Sequence, residues 1–223
     1  MAKKGILLIG PGGHCRSCID VIEQGGSFEI AGIVGKPGET ESSKLKAQGW
    51  KNGVEAATAV MGYPIIGTDV DLPELRKKYK YALVTVGQIK SPNTRRRLFD
   101  RLLELDFELP VIISPLAYVS KHASIGRGTI VMHHALLNAG AEVGENCIIN
   151  TKALVEHDAV VEDHCHISTG AIVNGQARIG QGSFMGSNAL TAQGVAVGRE
   201  CIVGGGARVL NDLADKTKFI RSE

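Results

Sequence analysis

The chain has 223 residues, 28 of them Gly and only ten aromatic, nearly twice the usual glycine share of about 7%. Hydrophobic residues make up 43%, charged residues 22%, and the net charge is +2, which excludes a disordered chain; seven Pro, without Gly at every third place, exclude a collagen-like one. The balance of 25 basic against 23 acidic residues leaves no footprint for nucleic acid or an anionic membrane, and the apolar stretch 6–9 is too short for a signal-peptide core or a membrane span, so a cytoplasmic protein is expected.

The first half alternates strand-like and helix-like pieces. Residues 4–9 read as a buried strand, 14–24 as a helix and 28–34 as a second strand, together a βαβ unit. A loop-rich stretch spans 35–62, and a short strand follows at 64–66. Asp71 is a candidate N-cap for a helix over 73–80, and residues 81–86 form an apolar strand. Ser91-Pro92 starts a helix over 93–105, and 109–113 closes the half. This alternation predicts an α/β Rossmann-like domain over residues 1–112. Gly10-Pro11-Gly12-Gly13-His14 falls between the first strand and helix, where glycines let the backbone approach a phosphate at a helix N-terminus. The alternative is a turn that only packs helix on strand. Gly35-Lys36 stands where an acidic residue would hold the ribose of NAD, so NAD is not expected.

Residues 113–223 obey a different rule. Steps of six from Ile113 to Val209 give seventeen positions, sixteen of them aliphatic, and the slot four residues after each is nearly always small. A helix repeats at 3.6 and an ordinary sheet at two, so unbroken six-residue repetition predicts a β-solenoid. Cys147, Cys165 and Cys201 share the small slot and read as core fillers; five Cys without metal-ligand spacing fit reduced thiols. Twelve of the fourteen glycines after residue 112 fall in two repeated slots and are expected to ease the turns. The exceptions are Gly175 and Gly205.

His157 sits two places after inward Val155, in a slot shared with Glu145, Asp163 and Arg199, so it should project outward. Imidazole is the natural base at neutral pH. Three hexads complete a coil, so residues 18 apart stack, and the Gly175 N–H should lie about 4.8 Å from His157, a candidate oxyanion donor. Asp163-His164-Cys165-His166 does not read as a metal cluster, because Cys165 points inward, and no metal is expected. His133-His134 reads as surface or subunit contact.

The tandem hexads resemble the hexapeptide-repeat acyltransferases. Their fusion to a Rossmann-like domain, with the glycine loop at His14 and a turn at Gly87 followed by Asn93 and Arg95, is similar to bacterial sugar acetyltransferases. That group includes bacillosamine-type UDP-4-amino-sugar N-acetyltransferases and proteins labelled sialic acid O-acetyltransferases. The resemblance implies a left-handed parallel β-helix over 113–223 with about five coils. It also implies a homotrimer with active sites between subunits and acetyl-CoA as co-substrate. By the same resemblance Gly12, Gly13, His14, Asn93 and Arg95 contact a nucleotide-linked amino sugar. His157 is the base, Asp158 orients it, and Asn150 and Glu156 lie near it. His166 lies near the thioester, Gly175 faces the oxyanion and Gly205 lines the coenzyme A groove.

The activity so implied is acetyl transfer to the 4-amino group of a nucleotide-linked amino-dideoxy sugar, in bacterial glycan or nonulosonic acid biosynthesis. Bacillosamine-type enzymes commonly carry an acidic pair where this chain has Gly35-Lys36, so a GDP- or dTDP-linked sugar fits as well as a UDP-linked one. The family's Gly-x-Pro-Ala-Lys-like segment is absent from 216–223, which implies altered contacts to the distal part of coenzyme A. O-acetylation of a sialic-acid-like sugar would use the same base. A non-catalytic sugar-binding scaffold is the alternative of another class, and the His157-Asp158 and His166 constellation speaks against it.

Overall fold

A computed structural model describes residues 4–36 and 58–220. They form two compact units, Met1–Gly87 with Arg97–Pro110, and Gln88–Arg96 with Val111–Glu223. The second unit takes up the chain from Val111, and it also includes Gln88–Arg96, nine residues that the sequence reading places within 1–112. Among the described residues no helix is long and apolar enough to cross a membrane.

The first unit contains β1 (Lys4–Ile9), α1 (Gly13–Gly25), β2 (Phe28–Val34), β3 (Ala59–Val60), β4 (Tyr63–Gly67), α2 (Leu72–Arg76), β5 (Tyr81–Val84) and most of α3 (Asn93–Glu104). The sheet order is β3-β4-β2-β1-β5, parallel except for the β3–β4 hairpin. Residues Ile6, Leu7, Leu8 and Ile9 are all at most 1% exposed, an unbroken apolar run of the kind a central parallel strand needs when both faces are covered. Leu98, Phe99 and Leu102 of α3 join Leu7, Ile9 and Val84 in this core.

Two expectations are corrected. The helix over 73–80 shortens at its C-terminal end to α2, and it follows a 3₁₀ turn at Asp69–Asp71, where Asp71 Oδ2 accepts from Thr68 N (2.8 Å) and Thr68 Oγ1 (2.9 Å) instead of capping forward. Residues 109–113 do not close the α/β sheet: only Ile112–Ile113 is a strand, and it belongs to the solenoid. The loop expected over 35–62 lies mostly outside the described residues.

From Ile112–Ile113 onward, two-residue strands recur every six residues and pair in parallel with the strand 18 residues on, as in Leu136↔Leu154 and Leu137↔Val155. They build a parallel β-helix with three faces of seven, six and five strands. The first face runs from Ile112–Ile113 to Lys218–Phe219, about six turns rather than five, because Lys218–Phe219 rejoins on Ile202–Val203 after the hexad pattern breaks at 210–217. The inward aliphatics and the small slot form one continuous core.

The cysteines in that slot do more than fill space. Cys147 Sγ lies 3.1 Å from Glu162 O, Cys165 Sγ 3.2 Å from Gly180 O and Cys201 Sγ 3.1 Å from Ala214 O. Ser183 Oγ donates likewise to Gly198 O at 2.7 Å. Each ties its strand to the turn of the next coil.

The two glycine slots also differ in cause. The one three residues after the aliphatic is left-handed, with Gly140 at φ 74° and Asp158 in the same slot at φ 58°. In the other slot, where it follows the third face, glycine is demanded by space: a Cβ at Gly180 would stand 2.6 Å from the Gly198 carbonyl carbon.

Candidate active site

The strand order places a topological switch at the carboxyl ends of β1 and β5, the position where open α/β sheets bind ligands. Thr85 Oγ1 donates to Gly10 O at 2.8 Å and Thr85 N to Ile9 O at 2.8 Å, pinning the end of β5 against the glycine loop. Gly10, at φ 114°, faces Val86 so closely that a Cβ would overlap its side chain. Gly12 is the N-cap of α1, with no side-chain cap and no acidic residue in the first turn. The helix thus presents uncapped N–H groups at the crevice, suited to a phosphate. At the end of β2, Gly35 abuts the Pro11 ring, so no side chain fits there, acidic or otherwise.

The second cluster lies at the corner between the second and third faces of the β-helix. His157 is half-exposed, and its Nδ1 lies 3.0 Å from Asp158 Oδ2. A carboxylate only accepts, so Nδ1 carries the proton and Nε2 is the basic nitrogen. Glu156 Oε2 accepts from His157 N (3.1 Å) and from Asn138 Nδ2 (2.8 Å), which fixes the turn. Asp158 adopts φ 58°, and Gly140, one coil below, leaves the space its carboxylate fills. The ring of His157 lies over Gly175, whose C=O accepts from Gly194 N while its N–H makes no hydrogen bond among the described residues.

A third cluster lies on the first face. His166 is 6% exposed, its Nδ1 donates to Gln88 O at 2.5 Å, and its Nε2 lies 3.1 Å from Asn150 Nδ2. Burial, helped by the charge of Arg95, pushes its pKa down to about 4. Arg95 is 1% exposed and donates to Asn146 O (3.2 Å) and Asn146 Oδ1 (2.7 Å), while Asn146 Nδ2 faces His164 Nδ1 at 3.0 Å. Gln88 Nε2 donates to Gly182 O at 3.1 Å. The segment Gln88–Arg96 is thereby strapped along one corner of the β-helix, over Asn146, His164 and Gly182.

Residues 5–102 match the family model of the PglD N-terminal domain, and residues 176–210 match that of the hexapeptide repeat of succinyl-transferase. The acetyltransferase domain of PglB from Neisseria gonorrhoeae, solved with acetyl coenzyme A, is 31% identical, covering 96% of this chain and 94% of that one, with a TM-score of 0.80. PerB from Caulobacter crescentus, solved with CoA and GDP-perosamine, is 30% identical over 96% and 93% of the two chains, with a TM-score of 0.82. The chain belongs to the hexapeptide-repeat family of bacterial sugar N-acetyltransferases. WeeI from Acinetobacter baumannii, at 18% identity and a TM-score of 0.78, shares the fold. No curated protein matches the sequence.

Within this acetyltransferase the residues expected from sequence separate into groups. Glu156, His157, Asp158 and Gly175 converge at one corner. Asn150, expected near the base, instead follows the first face, one side of the coil away, and pairs with His166. Six residues make one side of the triangle, so a separation of seven from His157 moves Asn150 to the preceding corner. His166, expected at the thioester, is buried with both ring nitrogens engaged inside the protomer. Arg95, expected at the nucleotide, is spent on Asn146. Asn93 is exposed at the start of α3, its N–H capped by Ser91 Oγ at 3.2 Å. Gly205 lies exposed on the corner that holds Asn150, three coils on. Asn138 and Gly140 escaped the sequence reading, although the 18-residue repeat places them beneath Glu156 and Asp158. Nothing in the hexad pattern marked Gln88.

Proposed function

We propose that this enzyme transfers the acetyl group of acetyl-CoA to the 4-amino group of a nucleotide-linked amino-dideoxy sugar, with His157 as general base. The observation that carries the mechanism is the Asp158–His157–Gly175 alignment. Asp158 holds the Nδ1–H, which leaves the Nε2 lone pair beside Gly175, whose N–H makes no hydrogen bond among the described residues. As the amine attacks the thioester carbonyl, His157 Nε2 takes its proton and Gly175 N–H steadies the oxyanion; collapse of the tetrahedral adduct expels the thiol of coenzyme A. The uncapped N-terminus of α1, with Gly12, Gly13 and His14, would hold the diphosphate. PerB, solved with GDP-perosamine, supports an amino-sugar nucleotide as acceptor.

The active form is a homotrimer with its sites between subunits. Five of the six outward residues of the second face, Tyr118, Leu136, Leu154, Ile172 and Leu190, make a partly exposed apolar ladder, of the kind that marks a protein interface. The His157 corner and the Asn150 corner border this same face on its two sides, so copies packed through it bring the base of one against the groove of the next.

Thiol release from acetyl-CoA, followed against UDP-, GDP- and dTDP-linked 4-amino sugars, tests the reading. One nucleotide sugar is expected to be acetylated, and His157→Ala to lower kcat by about 100-fold or more. Near-full activity of that variant would falsify the mechanism.

A further inference from the structure

Thr191 is the one residue in the inward six-residue series that is not aliphatic, and it is fully buried. The β-ladder is irregular at the same place. Elsewhere along the second face the residue after the inward one donates its N–H to the inward carbonyl of the next coil, as Asn138 N does to Val155 O (2.9 Å) and Glu156 N to Val173 O (2.9 Å). Asn174 N donates instead to Thr191 Oγ1 at 3.0 Å, and Thr191 O accepts from Asn174 Nδ2 at 2.6 Å. A backbone carbonyl only accepts, so the orientation of the Asn174 amide is fixed. Between these two strands only Ile172↔Leu190 pairs, whereas both residues of each strand pair in the coils on either side.

Asn138, Glu156 and Asn174 are 18 residues apart and stack in one column at the corner after the second face. The first two turn a side-chain oxygen onto the N–H that follows: Asn138 Oδ1 accepts from Ala139 N at 2.8 Å, and Glu156 Oε2 from His157 N at 3.1 Å. Asn150, in the equivalent place after the first face, does the same to Thr151 N at 2.8 Å. Short polar side chains readily take up a nearby turn N–H in this way. Asn174 is the same residue type in the same place as Asn138, yet the Gly175 N–H makes no hydrogen bond among the described residues. The difference is the Thr191 hydroxyl. It takes the Asn174 N–H, the Thr191 carbonyl is left to take the Asn174 amide, and the side chain that would cap Gly175 is held against the next coil.

Resting on the acetyl-transfer reading above, in which the Gly175 N–H meets the oxyanion, we infer that Thr191 is a positioning residue that keeps this N–H open by holding the Asn174 amide away from it. It acts from inside the core, through Asn174. Valine in its place has the same branched shape but no acceptor, so the Asn174 N–H has to return to the backbone carbonyl of the next coil, as its neighbours in the column do. The Asn174 amide then loses its partner and closes on Gly175 N, as Asn138 does on Ala139 N. An N–H already occupied in the ground state cannot stabilise the charge that develops in the transition state.

Hydrogen exchange followed by NMR on the full-length protein, nitrogen-labelled at glycine, reads the N–H directly. The Gly175 signal, the one lost in Gly175→Ala, is expected to exchange about tenfold or more slowly in Thr191→Val than in the unaltered protein; equal exchange overturns this inference alone. Kinetics with acetyl-CoA and the accepted nucleotide sugar give the second readout. Thr191→Val is expected to lower kcat about 100-fold, the scale of one lost oxyanion donor, with KM little changed. Adding Asn174→Ala removes the amide that caps Gly175 and is expected to restore most of kcat, while Thr191→Ser, which keeps the hydroxyl, is expected to retain it. A loss that Asn174→Ala does not reverse is a packing defect at Thr191 and overturns the inference. Slowed exchange with kcat unchanged supports the hold on Asn174 and overturns instead the oxyanion role of Gly175. A protein that acetylates no amino sugar overturns the functional reading, whatever the exchange shows.

Discussion

A Cβ added at Gly175 would stand 2.6 Å from His157 Nε2 and 2.8 Å from its Cε1, so the imidazole rests against a surface that only glycine provides. His157 is half-exposed and can swing away, so Gly175→Ala should leave the fold intact while moving the base off its line. Expected is a fall in kcat of about 100-fold, the scale of a misplaced general base, with a melting temperature within a few degrees of the unaltered protein. Paired kinetics and thermal melts check this; unchanged kcat would show that the ring does not work where it lies.

Asp158 depends on Gly140 in the same manner one coil below. Asp158→Asn should release the Nδ1–H tautomer and lower kcat by up to about 10⁴-fold. Gly140→Ala should act on the same step indirectly, through the carboxylate it displaces, and cost about 1–2 kcal/mol of stability from its left-handed backbone as well. Kinetics of the double variant separate the two: if they act through one hydrogen bond, the losses will not add.

Arg95→Ala should behave as a stability variant and not as a substrate-binding one. Its loss leaves Asn146 O and Oδ1 without their donor in a buried site, at a cost of about 3 kcal/mol. Urea unfolding measures that cost. A nucleotide-sugar KM that rises while stability holds would return Arg95 to the ligand.

His166 makes stability depend on pH. Its native pKa is about 4 against 6.5 for the free side chain, so as pH falls the unfolded chain binds the proton first. The stabilisation is complete above pH 6.5 and is lost as pH falls towards 4. Between pH 7.5 and 5 the loss is about 2 kcal/mol. Urea melts of the unaltered protein and His166→Phe should differ in pH slope by that amount; equal slopes would place the ring in water.

At Gly180 the next coil's backbone, with the Gly198 carbonyl carbon 2.6 Å from an added Cβ, cannot step aside. Gly180→Ala should destabilise by about 3 kcal/mol, whereas Gly194→Ala meets no neighbouring atom and should cost only the strain of its φ of 68°. Denaturant midpoints of the two variants provide the comparison.

The β-helix was legible because one constraint, an inward aliphatic every sixth residue, recurs at every turn, and the strand pairing at 18 residues follows from it by arithmetic. That arithmetic brought His157 over Gly175 and would also have found Asn138 and Gly140. β1 and β2 came out with their observed bounds because each is a single buried apolar run between turn residues. The 3₁₀ turn before α2 was missed, since whether the Asp71 carboxylate bonds back to Thr68 or forward to the helix is a choice of side-chain geometry that composition does not record.

The sequence by itself determined the two-part architecture, the six-residue repeat, and the corner where Glu156, His157, Asp158 and Gly175 meet, because all of these are set by periodicity and local chain order. Tertiary structure alone decided that Arg95 serves Asn146 and that His166 turns inward to Gln88. These depend on pairs tens of residues apart in sequence, such as Arg95 with Asn146 and Gln88 with His166. No repeat relates such partners, and only the packing of the strap on the β-helix brings them within hydrogen-bonding distance.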